Sequence, residues 1–493
     1  MITTPFLSKS KYLNGLQCPK LLWHYYNAKE EIPKTDAETQ AIFDQGHEVG
    51  ELAKKLYPDG IEVAKGLVDF EKVIEQTQKL ISKRKPLFEA AFLYKSAYAR
   101  VDILNPVEDD GWEIIEVKSS TRVKDINLRD LSLQWYTYQG AGLSIKRSYI
   151  LHINNQYVRK GEIDPEKLFT LTDITEEVKD LLPLVERQLA DMTETISGKT
   201  CPEVAIGTHC STPYDCPLQQ KCFVFLPEHN LLTLYYINKE KAFALIHQGV
   251  TDILALNDRV ELSDKQKLQV ESLRSKKPYL NKSGIRTFLD TLEYPLYFLD
   301  FETIGPAMPL FDNTIPHQPI PFQFSLHIQR SAGKDTEHYS YLADGKHDPR
   351  PELLKLLKKH LGHQGSIITY SASFEKDKLN RACEAFPEFA KWNDGIQKRI
   401  VDLLDPFKAF HFYHYDQKGS ASIKSVLPVL TGTGYEGMAI SEGGMASREF
   451  LRVTFGENIT EEERMAVRKN LEDYCSLDTM AMVEIVEKLR EMV

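Results

Sequence analysis

From residue 87 onward, apolar and polar side chains alternate with a period of two along "LFEAAFLY", "YARVDIL" and "WEIIEVKSS". That spacing predicts three β-strands, because successive strand side chains point to opposite faces. The turn-forming "NPVEDDG" joins the last two. Upstream, residues 36–80 shift to helical spacing, as in "IFDQGHEVGELAKKLY". Downstream, "RDLSLQWYTYQGAGL" predicts a helix and "RSYILHIN" a strand. Residues from about 230 to 290 read as helices and turns carrying no chemical constellation. A second pattern opens with the strand inside "YPLYFLDFETIG", at 294–305. It continues through a hairpin strand, "FQFSLHIQ", a helix, "PELLKLLKKHL", and a buried strand, "SIITY", and it closes on one long helix from about 460 to the end. The chain therefore divides into an α/β part at 1–225, a helical connector at 226–290 and a second α/β part at 291–493.

Composition narrows the class. A chain of 493 residues with 42% hydrophobic and 27% charged side chains reads as globular, with more than one core. No run approaches the ~20 apolar residues of a membrane helix, and the first residues lack a signal-peptide core, so a cytoplasmic protein with no membrane partner is expected. The net charge of −10 argues against a surface coated with basic residues for non-specific nucleic-acid binding. It leaves room for a nucleic-acid enzyme, whose metal-binding carboxylates are themselves negative.

Two acids interrupt the most apolar strand. Asp300 and Glu302 lie two apart, hence on one strand face, and two like charges so close call for a cation or a raised pKa. In the closing helix Tyr474 and Asp478 are four apart, on one helical face. "SASFEKDKL", after "SIITY", adds Glu375 and Asp377. Together "FLDFETIG", "YSASFEKDKL" and "YCSLDTMAM" resemble the three exonuclease motifs of the tyrosine-bearing branch of the DEDD superfamily. The resemblance implies a ribonuclease H-like fold over residues 291–493 and 3′–5′ exonuclease activity. It also implies that Asp300, Glu302 and Asp478 hold two divalent ions, Mg²⁺ or Mn²⁺, while Tyr474 orients or deprotonates the attacking water. The second motif ordinarily ends in Phe-Asp; here it is Phe374-Glu375, so Glu375 is the candidate and Asp377 the reserve. "GSASIKSVLPVL", at 419–430, resembles the segment such enzymes carry before their third motif.

The N-terminal part repeats the i, i+2 arrangement with Glu116 and Lys118, and Asp102 lies on the preceding strand. A surface salt bridge would use the same residues. His47 precedes them on a helix, and Gln134 and Tyr138 follow, four apart on another. This order of His, Asp, ExK and QxxxY resembles the RecB-like branch of the PD-(D/E)XK nucleases. Their restriction-endonuclease-like core is implied here, with His47, Asp102 and Glu116 as metal ligands and Lys118, Gln134 and Tyr138 completing the site.

Seven cysteines in a cytoplasmic chain do not suggest disulfides. One cysteine near the start and several after the core resemble the iron–sulfur members of that branch, which include CRISPR-associated single-strand exonucleases and the B subunit of AddAB helicase–nucleases. A [4Fe-4S] cluster on Cys18, Cys210, Cys216 and Cys222 is implied; a structural zinc on Cys201, Cys210, Cys216 and Cys222 is the alternative. Cys383 and Cys475 read as ordinary core residues. The expectation is a two-module, metal-dependent DNA exonuclease acting on single strands or free ends in repair, CRISPR adaptation or phage defence, with a helicase or defence partner. A non-cleaving end-binding protein and an RNA 3′–5′ exonuclease are the alternatives.

Overall fold

The computed structural model describes residues 6–63, 69–256 and 260–493, and the chain is mixed α/β. It separates into two compact units. One holds residues up to Phe225 together with the excursion Pro306–His317; the other holds Leu226–Gly305 and Gln318–Val493. The stretch 226–290 thus belongs with the C-terminal unit.

The N-terminal unit is built on a seven-stranded sheet of β1 (Leu7–Ser8), β2 (Ile61–Glu62), β3 (Leu87–Tyr94), β4 (Ala97–Pro106), β5 (Gly111–Lys118), β6 (Ser144–Ile153) and β7 (Phe169–Asp173). Its order is β2-β3-β4-β5-β6-β7, with β1 paired in parallel to β4. β3, β4 and β5 form an antiparallel meander. β5 and β6 are parallel and joined through helix Asp125–Gly140, which fills the crossover that a parallel pair requires. Alternation along β5 sends Ile114 into a core with Trp135 and Tyr138, and Ile115 into one with Val49 and Ala53. Both faces of the sheet are therefore covered, and a polar residue on β5 must be paired or face a cleft.

The C-terminal unit contains β8 (Tyr279–Leu280), β9 (Leu296–Ile304), β10 (Ile320–Gln329), β11 (Thr336–Leu342), β12 (Ile367–Thr369), β13 (Ile400–Asp402) and β14 (Phe412–Tyr413). Its main sheet runs β11-β10-β9-β12-β13, antiparallel on the β10 side of β9 and parallel on the β12 side. Tyr297, Leu299 and Phe301 bury one face of β9 with Phe324, Leu326 and the leucines of helix Arg350–His360. The other face receives the 31-residue helix Glu461–Glu491, which packs on β9 and β10. Among the described residues no helix is long and apolar enough to cross a membrane.

Candidate functional site

Each unit gathers chemically active side chains at one place. In the C-terminal unit Asp300 and Glu302 stand on the β9 face turned from the aliphatic core, as their spacing requires. Helix Ala372–Ala385, which follows β12, brings Glu375 in its first turn, and helix Glu461–Glu491 brings Tyr474 and Asp478. All five line one cavity of ≈500 Å³. The turn into the Glu375 helix runs through Ser371, whose φ of 79° is left-handed, a strained conformation for a residue with a side chain. Asp377, the reserve, points elsewhere and is bonded to Lys378 at 2.7 Å and to Arg381 at 2.9 Å.

The electrostatics of this cavity are unbalanced. Burial, then the charges of Asp478, Glu375 and Glu302, hold the Asp300 carboxyl well above its ordinary value. Burial and Asp478 push Glu302 up to about 8, and burial pushes Asp478 up to about 6. Glu375 is raised well above its usual range by burial and by Glu302, and its buried Oε2 has no hydrogen-bond partner among the described residues. An unpartnered buried carboxylate oxygen is costly, and a cation is its natural complement.

Three further residues, none of them a candidate ligand or catalytic group from the sequence, complete this site. Tyr435 donates to Asp478 Oδ1 at 2.5 Å, and Lys424 lines the cavity with its ammonium 5.9 Å from the Tyr474 ring. Cys475, expected to be ordinary core, places its thiol 3.8 Å from Asp300 Oδ2. Among the described residues the one group of three ligand atoms within 4.8 Å of one another is Asp300, Glu302 and Cys475, a possible metal-binding triad. Asp478 lines the cavity outside that triad.

In the N-terminal unit Glu116, 1% exposed, is the hub. Its Oε1 accepts from Lys118 at 2.6 Å and from Lys9 at 2.5 Å, and its Oε2 from Gln134 at 2.9 Å. Gln134 also donates to Asp130 Oδ1 at 2.9 Å, and Lys118 reaches Asp130 Oδ2 at 3.2 Å. Asp102 Oδ2 accepts from the backbone N–H of Val117 at 2.7 Å. Burial would raise the Glu116 carboxyl, but Lys118 and Lys9 outweigh it and hold the group down to about 2. Burial and the Glu116 charge push Asp102 the other way, to about 7. Asp102, Glu116, Lys118 and Lys9 line a cleft of ≈860 Å³, whose wall on helix Ala37–Lys54 carries His47. Tyr138 stands apart from this cleft: its hydroxyl donates to Ala90 O at 2.6 Å and accepts from Val101 N at 3.0 Å, tying β3 to β4. Lys9 and Asp130 are additions. Asp130 sits four before Gln134 on the same helical stripe and was within reach of the spacing argument; Lys9 carries no sequence signal.

Cys18, Cys210, Cys216 and Cys222 line one pocket of this unit, although they come from distant stretches of chain. Burial and the other three thiols push Cys216 up to about 11. Cys201 is outside that lining, with its sulfur 3.8 Å from His24 Nδ1.

Residues 297–422 match the family model described as a domain of unknown function (DUF2779). The stretch includes Asp300, Glu302 and Glu375 and stops before Tyr474. An uncharacterized protein of Mycoplasma pneumoniae, the MG366 homolog, is 27% identical over 215 residues, 39% of this chain and 32% of that protein. The uncharacterized protein MG366 of Mycoplasma genitalium is 22% identical over 286 residues, 54% of this chain and 43% of that protein. The chain thus spans less than half the length of either relative.

Proposed function

We propose that this chain is a metal-dependent phosphodiester hydrolase, a DNA exonuclease carrying two nuclease modules. In this reading the N-terminal unit is a RecB-like PD-(D/E)XK fold and residues 291–493 form an RNase H-like fold. The observation that carries it is the convergence of Asp300, Glu302, Glu375, Asp478 and Tyr474, from three separated stretches of chain, on one ≈500 Å³ cavity. The carboxylate donors fit hard cations such as Mg²⁺ or Mn²⁺, and the unpartnered Glu375 Oε2 is an oxygen that such an ion would satisfy. Bound divalent ions would supply Lewis acidity and a water of lowered pKa. The remaining work falls to the chain. Burial and the surrounding acids hold the Tyr474 hydroxyl well above its usual pKa, so it stays protonated and orients the attacking water. In the other unit Asp102 and Glu116 are the ligands, and Lys118 stabilises charge developing on the phosphate.

Single-stranded substrate is supported by the rim of the N-terminal cleft, where Ile42, Phe43 and Phe70 are exposed. Aromatic faces suit bases that have left a duplex stack. The four thiols at one pocket suit a [4Fe-4S] cluster by donor chemistry. Thiolates also suit a structural zinc, and the iron and zinc content of the purified protein separates the two. Anaerobically purified protein is expected to be brown and to hold roughly four irons per chain.

The test is to incubate the protein with end-labelled single-stranded DNA, duplex DNA and RNA, with Mg²⁺ or Mn²⁺. Asp300→Ala and Lys118→Ala should each remove one module's activity by about 100-fold or more. No shortening with either metal, or unchanged shortening in the double variant, would overturn the reading; shortening of RNA alone would change the substrate.

A further inference from the structure

Glu116 is served by more cations than its charge requires. Lys118 reaches Oε1 from the same strand at 2.6 Å and is also anchored on Asp130. Lys9 reaches the same oxygen at 2.5 Å from a different element, the first residue of helix Lys9–Gln17. That helix is set beside the sheet because Leu7 and Ser8 pair with Ala97 and Tyr98 of β4. Two ammonium groups on one carboxylate oxygen repel each other, and the neighbouring Asp130, Asp102 and Glu89 offset this. Gln134 occupies Oε2, so Oε1 is the oxygen through which Glu116 meets a cation. Lys9 holds that position, and its side chain is 28% exposed along the cleft.

We propose that Lys9 is a displaceable counter-ion, resting on Glu116 until a divalent ion binds and then moving into the cleft to hold an oxygen of the substrate phosphate. The inference rests on the nuclease reading of this unit. The charges support it. With the three carboxylates of Asp102, Glu116 and Asp130 ionised, Lys9 and Lys118 leave one negative charge; a divalent ion turns this into one positive charge, the complement of a phosphodiester. A divalent ion also interacts with Glu116 more strongly than a monovalent ammonium at equal distance. Both lysines also reach Asp130 Oδ2, Lys118 within hydrogen-bond distance at 3.2 Å and Lys9 more loosely at 3.7 Å. Lys118 is fixed on the same strand as Glu116, whereas Lys9, on a separate helix, is the group free to leave.

Displacement can be read without cleavage. The full chain carrying Asp300→Ala, which weakens the C-terminal site, is treated with an amine-acetylating reagent in EDTA or in Mn²⁺, and each lysine's modification is measured by mass spectrometry. Lys9 should be several-fold more reactive with Mn²⁺, while Lys118 stays protected. A Lys9→Met variant should bind Mn²⁺ several-fold more tightly, because its competitor is gone, yet degrade DNA more slowly through this unit, with partial rescue by Lys9→Arg. Unchanged Lys9 reactivity in saturating Mn²⁺, or Mn²⁺ affinity unaltered by Lys9→Met, overturns the proposal even in an active nuclease. A Mn²⁺-dependent footprint without DNA shortening would instead keep the counter-ion exchange and sink the phosphate role together with the nuclease reading.

Discussion

Glu302 lies on β9 beside Asp478, and burial together with that neighbour moves its carboxyl from 4.5 to about 8. A carboxyl raised in this way is easier to bury protonated. The stability it contributes is complete below about pH 4.5 and is lost as pH rises through about 8. In EDTA, the melting temperature of the C-terminal unit should therefore fall between about pH 5 and about pH 8, and Mn²⁺ should restore more of it at the upper end. Glu302→Gln should melt several degrees higher than the parent in EDTA at about pH 8 and should lose most of the response to Mn²⁺. Thermal scans across pH with and without metal decide this; a parent protein whose melting temperature is flat across that window would contradict it. The same-face pairing of Asp300 and Glu302 was readable because a strand's period of two is rigid. Spacing alone did not choose between Glu375 and Asp377, since two residues along a helix differ by about 200°; the motif resemblance put Glu375 first, and the packed helix shows Asp377 bonded to Arg381.

At the level of elements, spacing identified the right helix, while two residues on one of its faces meet different partners. Gln134 and Tyr138 share a face of helix Asp125–Gly140, yet one turn carries Tyr138 past the acidic hub to the backbones of β3 and β4. A shared face fixes a direction and not a depth. Tyr138→Phe should consequently lower the stability of the N-terminal unit by about 1–3 kcal/mol, with the proposed DNA cleavage by the folded protein little changed. Gln134→Ala should slow the proposed cleavage instead. Denaturant titration alongside rate measurement separates the two, and a large rate loss with unchanged stability in Tyr138→Phe would reverse the assignment. Long, regular elements such as β9, β10 and the closing helix were legible from periodicity. β2, only Ile61–Glu62, and β7 were not, because strands that short take their conformation from their neighbours in the sheet.

For the molecule as a whole, the sequence pointed to two α/β parts with a helical connector between them. The excursion Pro306–His317 escaped notice, because nothing in its composition says which unit it joins. It is tied into the N-terminal unit by the buried Ala307, by Arg159 donating to Pro309 O at 2.8 Å and Leu310 O at 2.6 Å, and by His317, which donates to the Ser119 carbonyl at 2.7 Å beside Lys118. A fragment ending at Phe225 lacks all of these contacts. By circular dichroism it should melt several degrees below the same unit in the full chain, and appending residues 306–317 through a flexible linker should recover part of the loss. Equal melting temperatures would show that the excursion contributes nothing to that core.

Strand β9 runs out into this excursion and β10 runs back from it, so a protease cutting there would separate the two strands of one unit's central hairpin. The bands on a denaturing gel would then fall at a border that matches neither unit, and limited digestion would draw the wrong map of where this protein comes apart.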